Sequence, residues 1–339
     1  MFRTSLLVVG LLLAAAPLRA QFDLPKPEMV KLVRALPLLV ILEQEDERKL
    51  KKLAKKPAAL EEYRQTIANS NARMQQLVPR YWKLSTDISF QTQPSYVQLL
   101  QQRKSTGPSC ILQCIDLNIY QKQPGATQQD FQSKSQGNTF NYGAYKAESI
   151  RAIRLEVLAD GRASVIAGKE LAELNTTESD VILTLKTIQQ FVLDLEEGKK
   201  MKDLSIDARD RGVRLQQKTL LFAQEDLEQG LTAADVQVLY PFPHQIVPRS
   251  VVDSAIAAGQ AQYACIRQMP VNTLYKSYTV QLVVSVDDGM ELAYSKKSNL
   301  EIEFARNAGA DPLVIKKENL NDFARYAGGK VKLATWPPY

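Results

Sequence analysis

Three cysteines and one histidine are the most reactive side chains in this sequence. Cys110 and Cys114 are four residues apart, and on a strand this spacing separates them by about 13 Å. That separation is too large for a disulfide or a shared metal ion. A zinc site would also need further cysteine or histidine ligands, which the sequence does not supply at a suitable spacing. We therefore predict no metal and no cofactor.

Cys265 lies in a second apolar run that resembles the first. Ser109–Cys114 and Ala264–Met269 carry Cys, Ile and Gln at the same offsets. If equivalent strands of two copies meet, Cys110 and Cys265 can form a disulfide, which an oxidising compartment permits. The alternative is that both are buried free thiols, because free cysteine often packs as a small hydrophobic residue.

Histidine and carboxylate chemistry gives no defined catalytic group. His244 begins a predicted strand, and no serine or cysteine stands in a nucleophile-elbow pattern, so we predict a structural or surface role for it. The acidic pairs Glu225-Asp226 and Asp287-Asp288 fall at a predicted helix start and a turn. Hydrolysis by two carboxylates requires a defined separation between them. Phosphate-binding, calcium-binding and dinucleotide-binding loops are absent from the sequence, and no catalytic residue is predicted.

Four aromatic residues precede equivalent strands of two similar segments. Tyr81 and Trp82 stand before the first strand, and Tyr240 and Phe242 stand before the second. Exposed aromatic side chains favour recognition, so the four can line a shared groove for a ligand or a partner. The alternative is that they fill the core where each segment meets its preceding helix.

The elements around these residues indicate an internal duplication. Residues 81–169 and 240–297 both run strand, helix, strand and hairpin, and the hairpins turn at Asp160-Gly161 and Asp288-Gly289. Asp-Gly between alternating strands is a strong hairpin signal, because glycine adopts the positive φ of the favoured turns. We predict an α+β fold with two similar β-α-β-β-β units, largely antiparallel sheets and a preceding N-terminal helical segment.

The domain organisation follows from this pattern. Arg3, the apolar stretch Leu6–Leu18 and the small residue Ala20 are typical of a secretory signal peptide, with cleavage near Ala20. That stretch is shorter than the ~20 residues that cross a bilayer, so we predict no transmembrane segment in the mature chain. The predicted ranges are 1–20 signal peptide, 21–79 helical segment, 80–200 first unit with a polar insert at 121–147, 201–239 linker and short elements, and 240–339 second unit with the remaining residues.

The charge balance excludes one class of partner and leaves another open. Without Arg3 and Arg19 the chain has 41 basic and 37 acidic residues, a net charge of +4, which is too small for a typical nucleic-acid binder. A local basic cluster can contact an anionic membrane surface weakly. The alternative is a solvated helix face, since acidic residues precede the cluster. Its lysines are Lys49, Lys51, Lys52, Lys55 and Lys56.

Short motifs give a resemblance to a class of proteins. The stretches Leu239–Pro243, Lys218–Leu221 and Tyr81-Trp82 resemble uncharacterised exported proteins of Gram-negative bacteria. That resemblance implies export to the periplasm or beyond and implies no reaction, so no catalytic residue is transferred from it.

Three functions stay open at this point. The first is a non-catalytic binding or scaffolding module for a protein or polymer of the cell envelope. The second is a carboxylate-dependent hydrolase of an envelope polymer, and the third is an inhibitor or chaperone of another exported protein. An enzyme should have a deep cleft where acids converge, beneath the insert at 121–147, whereas a binding module should have a shallow apolar groove.

Overall fold

The computed structural model describes residues 25–93, 107–122, 145–159, 162–171, 177–204, 209–272, 277–296 and 314–329. The predicted signal peptide, most of the polar insert and the Asp160-Gly161 turn lie outside these ranges. The helices are Pro27–Ala35 (α1), Glu47–Leu53 (α2), Pro57–Tyr81 (α3), Glu178–Glu196 (α4), Met201–Leu204 (α5), Arg209–Gln216 (α6), Ala233–Leu239 (α7), Arg249–Ala258 (α8) and Lys317–Ala327 (α9). Among them, none is both long and apolar enough to cross a bilayer.

The described strands form two five-stranded sheets with the same topology. Their orders are β2-β1-β3-β4-β5 and β7-β6-β8-β9-β10. The strands are Leu38–Leu42 (β1), Ile88–Thr92 (β2), Ser109–Lys122 (β3), Tyr145–Ala159 (β4), Arg162–Glu170 (β5), Thr219–Ala223 (β6), His244–Val247 (β7), Tyr263–Asn272 (β8), Ser277–Ser285 (β9) and Glu291–Lys296 (β10). The first unit is residues 27–196 and the second is residues 209–327.

The predicted α+β class is confirmed, and the two similar sheets fit the predicted duplication. Each sheet is mixed, and most of its paired residues lie in antiparallel pairings, as predicted. The central strands β1 and β6 each pair in parallel with two neighbours, whereas the last two pairings of each sheet are antiparallel. Long crossover segments precede β2 and β3, and such segments can join parallel strands.

The first strand of each sheet comes from a segment that was not predicted to be part of the unit. Leu38–Leu42 lies in the predicted helical segment and Thr219–Ala223 in the predicted linker. Both are central strands that are buried at four of their five positions. A strand buried on both faces reads as a continuous apolar run, so its periodicity does not distinguish it from a buried helix.

Helix α4 lies between the two sheets. In the first unit α1, α3 and α4 cover one face of the sheet. In the second unit α6, α7 and α9 cover the equivalent face, which we call the outer face. The opposite, inner face of the second sheet packs against α8 and against α4 of the first unit. One helix therefore contributes to the cores of both units.

A buried ion pair joins α4 to the second sheet. The Nε of Arg267, on β8, lies 3.2 Å from Oδ1 of Asp180, and these side chains are 2% and 8% exposed. The same guanidinium donates to the Thr184 hydroxyl at 2.6 Å and to the Glu170 carbonyl at 2.8 Å. Such a pair requires additional hydrogen bonds to offset desolvation, and Thr184 and Glu170 accept two of them.

Two further contacts join α4 to the second unit. The Lys186 ammonium donates to the carbonyls of Ile256 at 3.1 Å and Val286 at 2.6 Å. The turn between β9 and β10 rests on the α4 backbone, and the Thr187 hydroxyl donates to the Gly289 carbonyl at 2.9 Å. A Cβ atom at Gly289 would lie only 2.5 Å from the Thr187 nitrogen, so only glycine fits there without displacement.

Candidate functional site

The cysteines are free thiols in the structure, which corrects the suggested disulfide. Leu38 pairs with Cys110 on the helix-covered face of the first sheet, and Leu220 pairs with Ala264 on the outer face of the second. Cys110 is thus equivalent to Ala264, and the alignment with Cys265 was one residue out of register. Because a one-residue shift reverses the face of a strand, Cys265 points to the inner face.

Cys110 and Cys265 lie in environments that disfavour nucleophilic attack and metal binding. Burial raises the pKa of both the Cys110 and the Cys265 thiol to about 12. A thiol must lose its proton to attack or to bind a metal, so these two are packing residues. No group of three metal-binding side chains occurs within the described ranges.

The four aromatic residues belong to two separate cores, which corrects the hypothesis of a shared groove. Trp82 is 2% exposed in the core of the first unit, and Tyr240 is fully buried in the outer core of the second. Tyr81 donates its hydroxyl to the Ala257 carbonyl at 2.9 Å. Phe242 packs on Tyr240 with ring centroids 5.5 Å apart. These residues are equivalent in position, as predicted, but they fill cores.

His244 has structural contacts. Its ring meets the edges or faces of Phe222 and Tyr240 at centroid distances of 5.9 Å each. Its Nδ1 lies 2.9 Å from the Phe242 carbonyl. The imidazole is therefore part of an aromatic cluster at the start of β7.

The end of the second sheet where the parallel strands β6, β7 and β8 finish is a candidate ligand-binding site. We call this end the carboxyl edge. The segment after β6 leads to α7 on the outer face, whereas the segment after β7 leads to α8 on the inner face. Crevices between strands whose connections diverge in this way commonly bind ligands in open α/β sheets.

Two carboxylates of the chain occupy this crevice. Both carboxylate oxygens of Glu225 accept the backbone N–H of Arg249, at 3.1 and 3.0 Å. Asp226 pairs with the Arg249 guanidinium. Hydrogen bonds from the backbone of Glu225 itself and of Arg249 lower the pKa of the Glu225 carboxyl below its usual value. Glu225 thus takes the place at the α8 N-terminus where an external anion would otherwise bind.

The carboxyl edge of the first sheet has its own polar cluster. Glu43 follows β1, pairs with the guanidinium of Arg151 on β4 and accepts the Ser70 hydroxyl at 2.7 Å. Arg151 also donates to the Ser70 oxygen at 2.9 Å. The Asn71 amide holds the Glu43 backbone through bonds of 2.8 and 3.0 Å. These contacts fasten α3 and β4 to the end of β1.

The electrostatics of the described carboxylates differ from those of a general-acid pair. A hydrolase of the expected kind needs one carboxyl with a raised pKa. In the described part of the chain, every carboxyl with a clear pKa displacement has a lowered pKa. They are Asp46, Glu225, Asp235, Asp287 and Glu291.

Strands β3 and β4 continue past the first sheet. The last pairing of β1 with β3 is at Gln113, and β5 pairs with β4 only from Ala152. Within the described ranges, residues 116–122 and 145–151 have no strand partner but each other, although the Arg151 carbonyl accepts the Leu171 N–H at 2.8 Å. We call this pair of strands the ribbon. The insert predicted as a loop at 121–147 therefore begins and ends in strand, which corrects its boundaries.

A shorter extension occurs at the equivalent place in the second unit. Residues 270–272 of β8 pair with residues 277–279 of β9, beyond the last pairings with β6 and β10. Because β3 and β8 run parallel to β1 and β6, both extensions leave their sheets at the carboxyl edge. Sequence reasoning predicted a strand from Ser109 to Ile119 but treated residues 121–147 as a loop, so it missed the pairing with residues 145–151.

A shallow cleft lies beside the edge strand β7. Its volume is about 390 Å³, and Ile246 of β7 forms part of its wall. The remaining lining residues come from the segment between β6 and α7 and from the start of α7. They are Gln224, Leu227, Glu228, Gln229, Leu231 and Ala233.

The basic cluster lies on an exposed helix and on the residues directly after it. Helix α2 has no buried residue, and all five lysines of the cluster are solvent-exposed. The Asp46 carboxylate caps this helix by accepting the backbone N–H of Arg48 and Lys49. Contact with an anionic membrane surface stays a prediction.

Comparison with known proteins adds no information about the function of this chain. No protein-family model, curated protein or solved structure matches this chain. The ribbon at the carboxyl edge of the first sheet and the cleft beside β7 are two surface features of the described residues that are suited to binding.

Proposed function

We propose that this chain is an exported, non-catalytic binding or scaffolding module of the cell envelope, and that its partner pairs with the ribbon. The observation that carries this proposal is the pairing of residues 116–122 with 145–151 beyond the sheet. In the described part of the chain these residues have no other strand beside them. A two-stranded ribbon is marginally stable in water by itself, so a third strand would stabilise it.

Within the described ranges no strand pairs with the outer edge of either ribbon strand, and such edges suit strand addition. Each edge presents backbone N–H and C=O groups at the usual spacing of a strand, which is the arrangement that an added strand recognises. Backbone bonds supply affinity in this mode, and side-chain pockets supply specificity. A partner protein with an extended segment therefore fits the ribbon better than a small molecule does.

The rest of the molecule supplies a firm base for the ribbon. Glu43, Ser70 and Arg151 tie the foot of the ribbon to β1 and α3. Helix α4 joins the two units through Arg267 and Lys186. A base that is already ordered lowers the entropy cost of binding.

The test compares two shortened chains. In the ribbon-less variant an Asn-Gly turn replaces residues 117–150 and joins Asp116 to Arg151, which are paired neighbours. In the control variant Asn-Gly replaces residues 123–144 and joins Lys122 to Tyr145, so the ribbon is kept. Two-residue Asn-Gly loops suit both junctions.

Binding is measured by quantitative capture from envelope fractions of the native host, after cross-linking in intact cells. We expect the full chain and the control to capture the same partner, and the ribbon-less variant to lose at least about tenfold, equivalent to about 1.4 kcal/mol. Equal capture by all three chains, or loss in the control as well, would contradict the role of the ribbon.

Export is tested separately: the purified mature protein should begin at Gln21, and an uncleaved cytoplasmic protein would contradict it.

A further inference from the structure

Helix α2 and the turn after it carry a positive face toward the solvent. The i, i+3, i+4 and i+7 spacing that places side chains on one side of a helix is occupied by Arg48, Lys51, Lys52 and Lys55. The last of these lies directly after α2, where Ala54 keeps helical backbone angles. All four side chains are solvent-exposed, and we call them the basic face. In the described part of the chain, the Nζ atoms of its three lysines make no hydrogen bond or ion pair.

The acidic residues before α2 neutralise this face only in part. Glu43 pairs with Arg151, and Glu45 pairs with Arg64 at 3.2 Å. Residues 46–56 hold six basic and two acidic side chains, so this short segment has a net charge of +4. That value equals the net charge of the whole predicted mature chain. The excess positive charge of the protein is therefore concentrated at α2.

The other side of α2 is fixed to the protein. Leu50 and Leu53 are partly buried. The Lys49 Nζ lies 5.5 Å from the centroid of the Tyr63 ring on α3, and the Tyr63 hydroxyl accepts the Asp46 N–H at 2.8 Å. Because the leucine side is engaged in this way, α2 meets a partner through charge and not by inserting apolar side chains.

The chemistry of the basic face favours a lipid surface over an acidic peptide. Arginine matches a carboxylate with two parallel hydrogen bonds, whereas lysine acts as a point charge. The face has three lysines and one arginine, and it lies on a convex helix surface. A planar array of lipid phosphates requires only charge and access, and it attracts clusters of lysine near the bilayer.

We propose that the basic face attaches this protein peripherally to bilayers that contain anionic phospholipid. The face lies at the end of the first unit from which the ribbon leaves, since Glu43 joins the end of β1 to the foot of the ribbon and α2 begins four residues later. Attachment would thus hold the ribbon beside the membrane. The inference does not depend on what the ribbon binds.

Co-sedimentation with lipid vesicles provides the test. The probe is a vesicle of phosphatidylglycerol and phosphatidylcholine in equal parts, and the comparison is a vesicle of phosphatidylcholine alone. We expect the purified chain to bind only the first. Raising NaCl from about 0.1 M to about 1 M should release it, because the Debye length falls from about 10 Å to about 3 Å.

Charge reversal of the face locates the attachment. The triple variant Lys51→Glu, Lys52→Glu, Lys55→Glu should bind the anionic vesicles at least about tenfold more weakly. The matched control changes the net charge equally at exposed lysines elsewhere and should keep most of the binding. It carries Lys31→Glu, Lys200→Glu and Lys317→Glu.

Circular dichroism checks that both triple variants are folded. If the reversal of charge prevents folding, the glutamine substitutions Lys51→Gln, Lys52→Gln, Lys55→Gln provide the same test, with a smaller loss of binding. Glutamine is compatible with a helix and removes the positive charges without adding negative ones.

Four results would overturn the proposal. The first is equal binding to both kinds of vesicle, which would indicate an apolar segment. The second is full binding by the folded triple variant, and the third is an equal loss in the matched control, which would indicate attraction by net charge alone. The fourth is binding to soluble polyglutamate without binding to anionic vesicles, which would identify an acidic protein segment as the partner.

Discussion

Helices α4 and α9 hold equivalent places in the two units, each after the last strand of its sheet, but their surroundings differ. Helix α9 is amphipathic and buries one side, which includes Leu320 and Phe323, against the outer face of the second sheet. Helix α4 is buried nearly all round, because a second sheet covers the side that α9 leaves to solvent.

The difference is visible in the polar residues of α4. Asp180, Thr184, Lys186 and Thr187 point to the second unit, and each has a hydrogen-bond or ionic partner there. The side of α4 that faces its own sheet is apolar, whereas the buried side of α9 includes Asn319, whose amide donates to the Ser295 hydroxyl at 2.8 Å. The two helices thus occupy the same place in two similar units, but the polar side of α4 makes it the junction between the units.

The largest effect should come from matched truncations in the two helices. Leu185 of α4 and Leu320 of α9 are both fully buried. We expect Leu185→Ala and Leu320→Ala each to lower the free energy of unfolding by about 3 to 5 kcal/mol. Native-state hydrogen exchange should separate them, because Leu185→Ala should weaken protection in both sheets and Leu320→Ala only in the second. Identical exchange patterns would contradict the junction role of α4.

The next effect concerns the buried ion pair of the junction. Arg267→Met leaves the Asp180 carboxylate buried without its partner, so we expect a loss of about 3 kcal/mol in chemical denaturation. Adding Asp180→Leu should recover part of that loss. Arg325→Ala is the control, because its partner Asp322 is 3.8 Å away and the arginine side chain is 63% exposed, and it should change stability by less than about 0.5 kcal/mol.

Two glycines with positive φ separate the cost of backbone strain from the cost of a clash between the β9–β10 turn and α4. Gly289 and Gly198 have φ values of +74° and +77°, but only Gly289 contacts α4 closely. Gly198→Ala should cost about 1 kcal/mol for the left-handed backbone alone. Gly289→Ala should cost about 2 to 3 kcal/mol in thermal unfolding, since its Cβ would meet the α4 backbone. Equal losses would show that the turn does not depend on close contact with α4.

The smallest effect is the dependence of the junction on pH. Burial alone would raise the pKa of Glu291, but Lys169, at 2.8 Å, and the more distant Arg211 and Arg267 lower it overall. A lowered pKa in the folded state stabilises the protein above the unfolded pKa of about 4.5, and that contribution is lost as the pH falls through the folded value.

Glu291→Gln should therefore reduce stability at pH 7 by about 1 kcal/mol and flatten the acid side of the stability profile. Equilibrium denaturation between pH 7 and pH 3 measures this. The exposed Glu318→Gln is a suitable control on α9. An unchanged acid profile in the Glu291 variant would show that this pair does not stabilise the junction.

Much of the fold was accessible from the sequence because its signals are local. The Asp288-Gly289 turn, the Thr177 cap of α4 and the apolar spacing of α4 need only neighbouring residues. The α+β class and the duplication follow from the order of such elements. Local signals do not identify a strand such as Leu38–Leu42, because burial on both faces removes the alternation that marks a strand.

The candidate site was less accessible, since it depends on register and on tertiary packing. Three shared residues favoured the alignment of Cys110 with Cys265. The pairing of β1 with β3 and of β6 with β8 shows instead that Cys110 and Ala264 hold equivalent positions in the two sheets. Trp82 and Tyr240 looked suitable for recognition, whereas packing buries them in separate cores. The ribbon is defined by where neighbouring strands end, and that is a property of the whole sheet.

The position of α4 also bears on how the polypeptide reaches its final state. The inner face of the second sheet contains Leu221, Cys265, Leu282 and Val284, and α4 supplies part of its cover. Because α4 precedes that sheet in the chain, it is synthesised first and is present when the later strands arrive. Residues 209–327 expressed separately should expose an apolar surface and aggregate. The two halves are therefore not interchangeable modules, despite their common pattern.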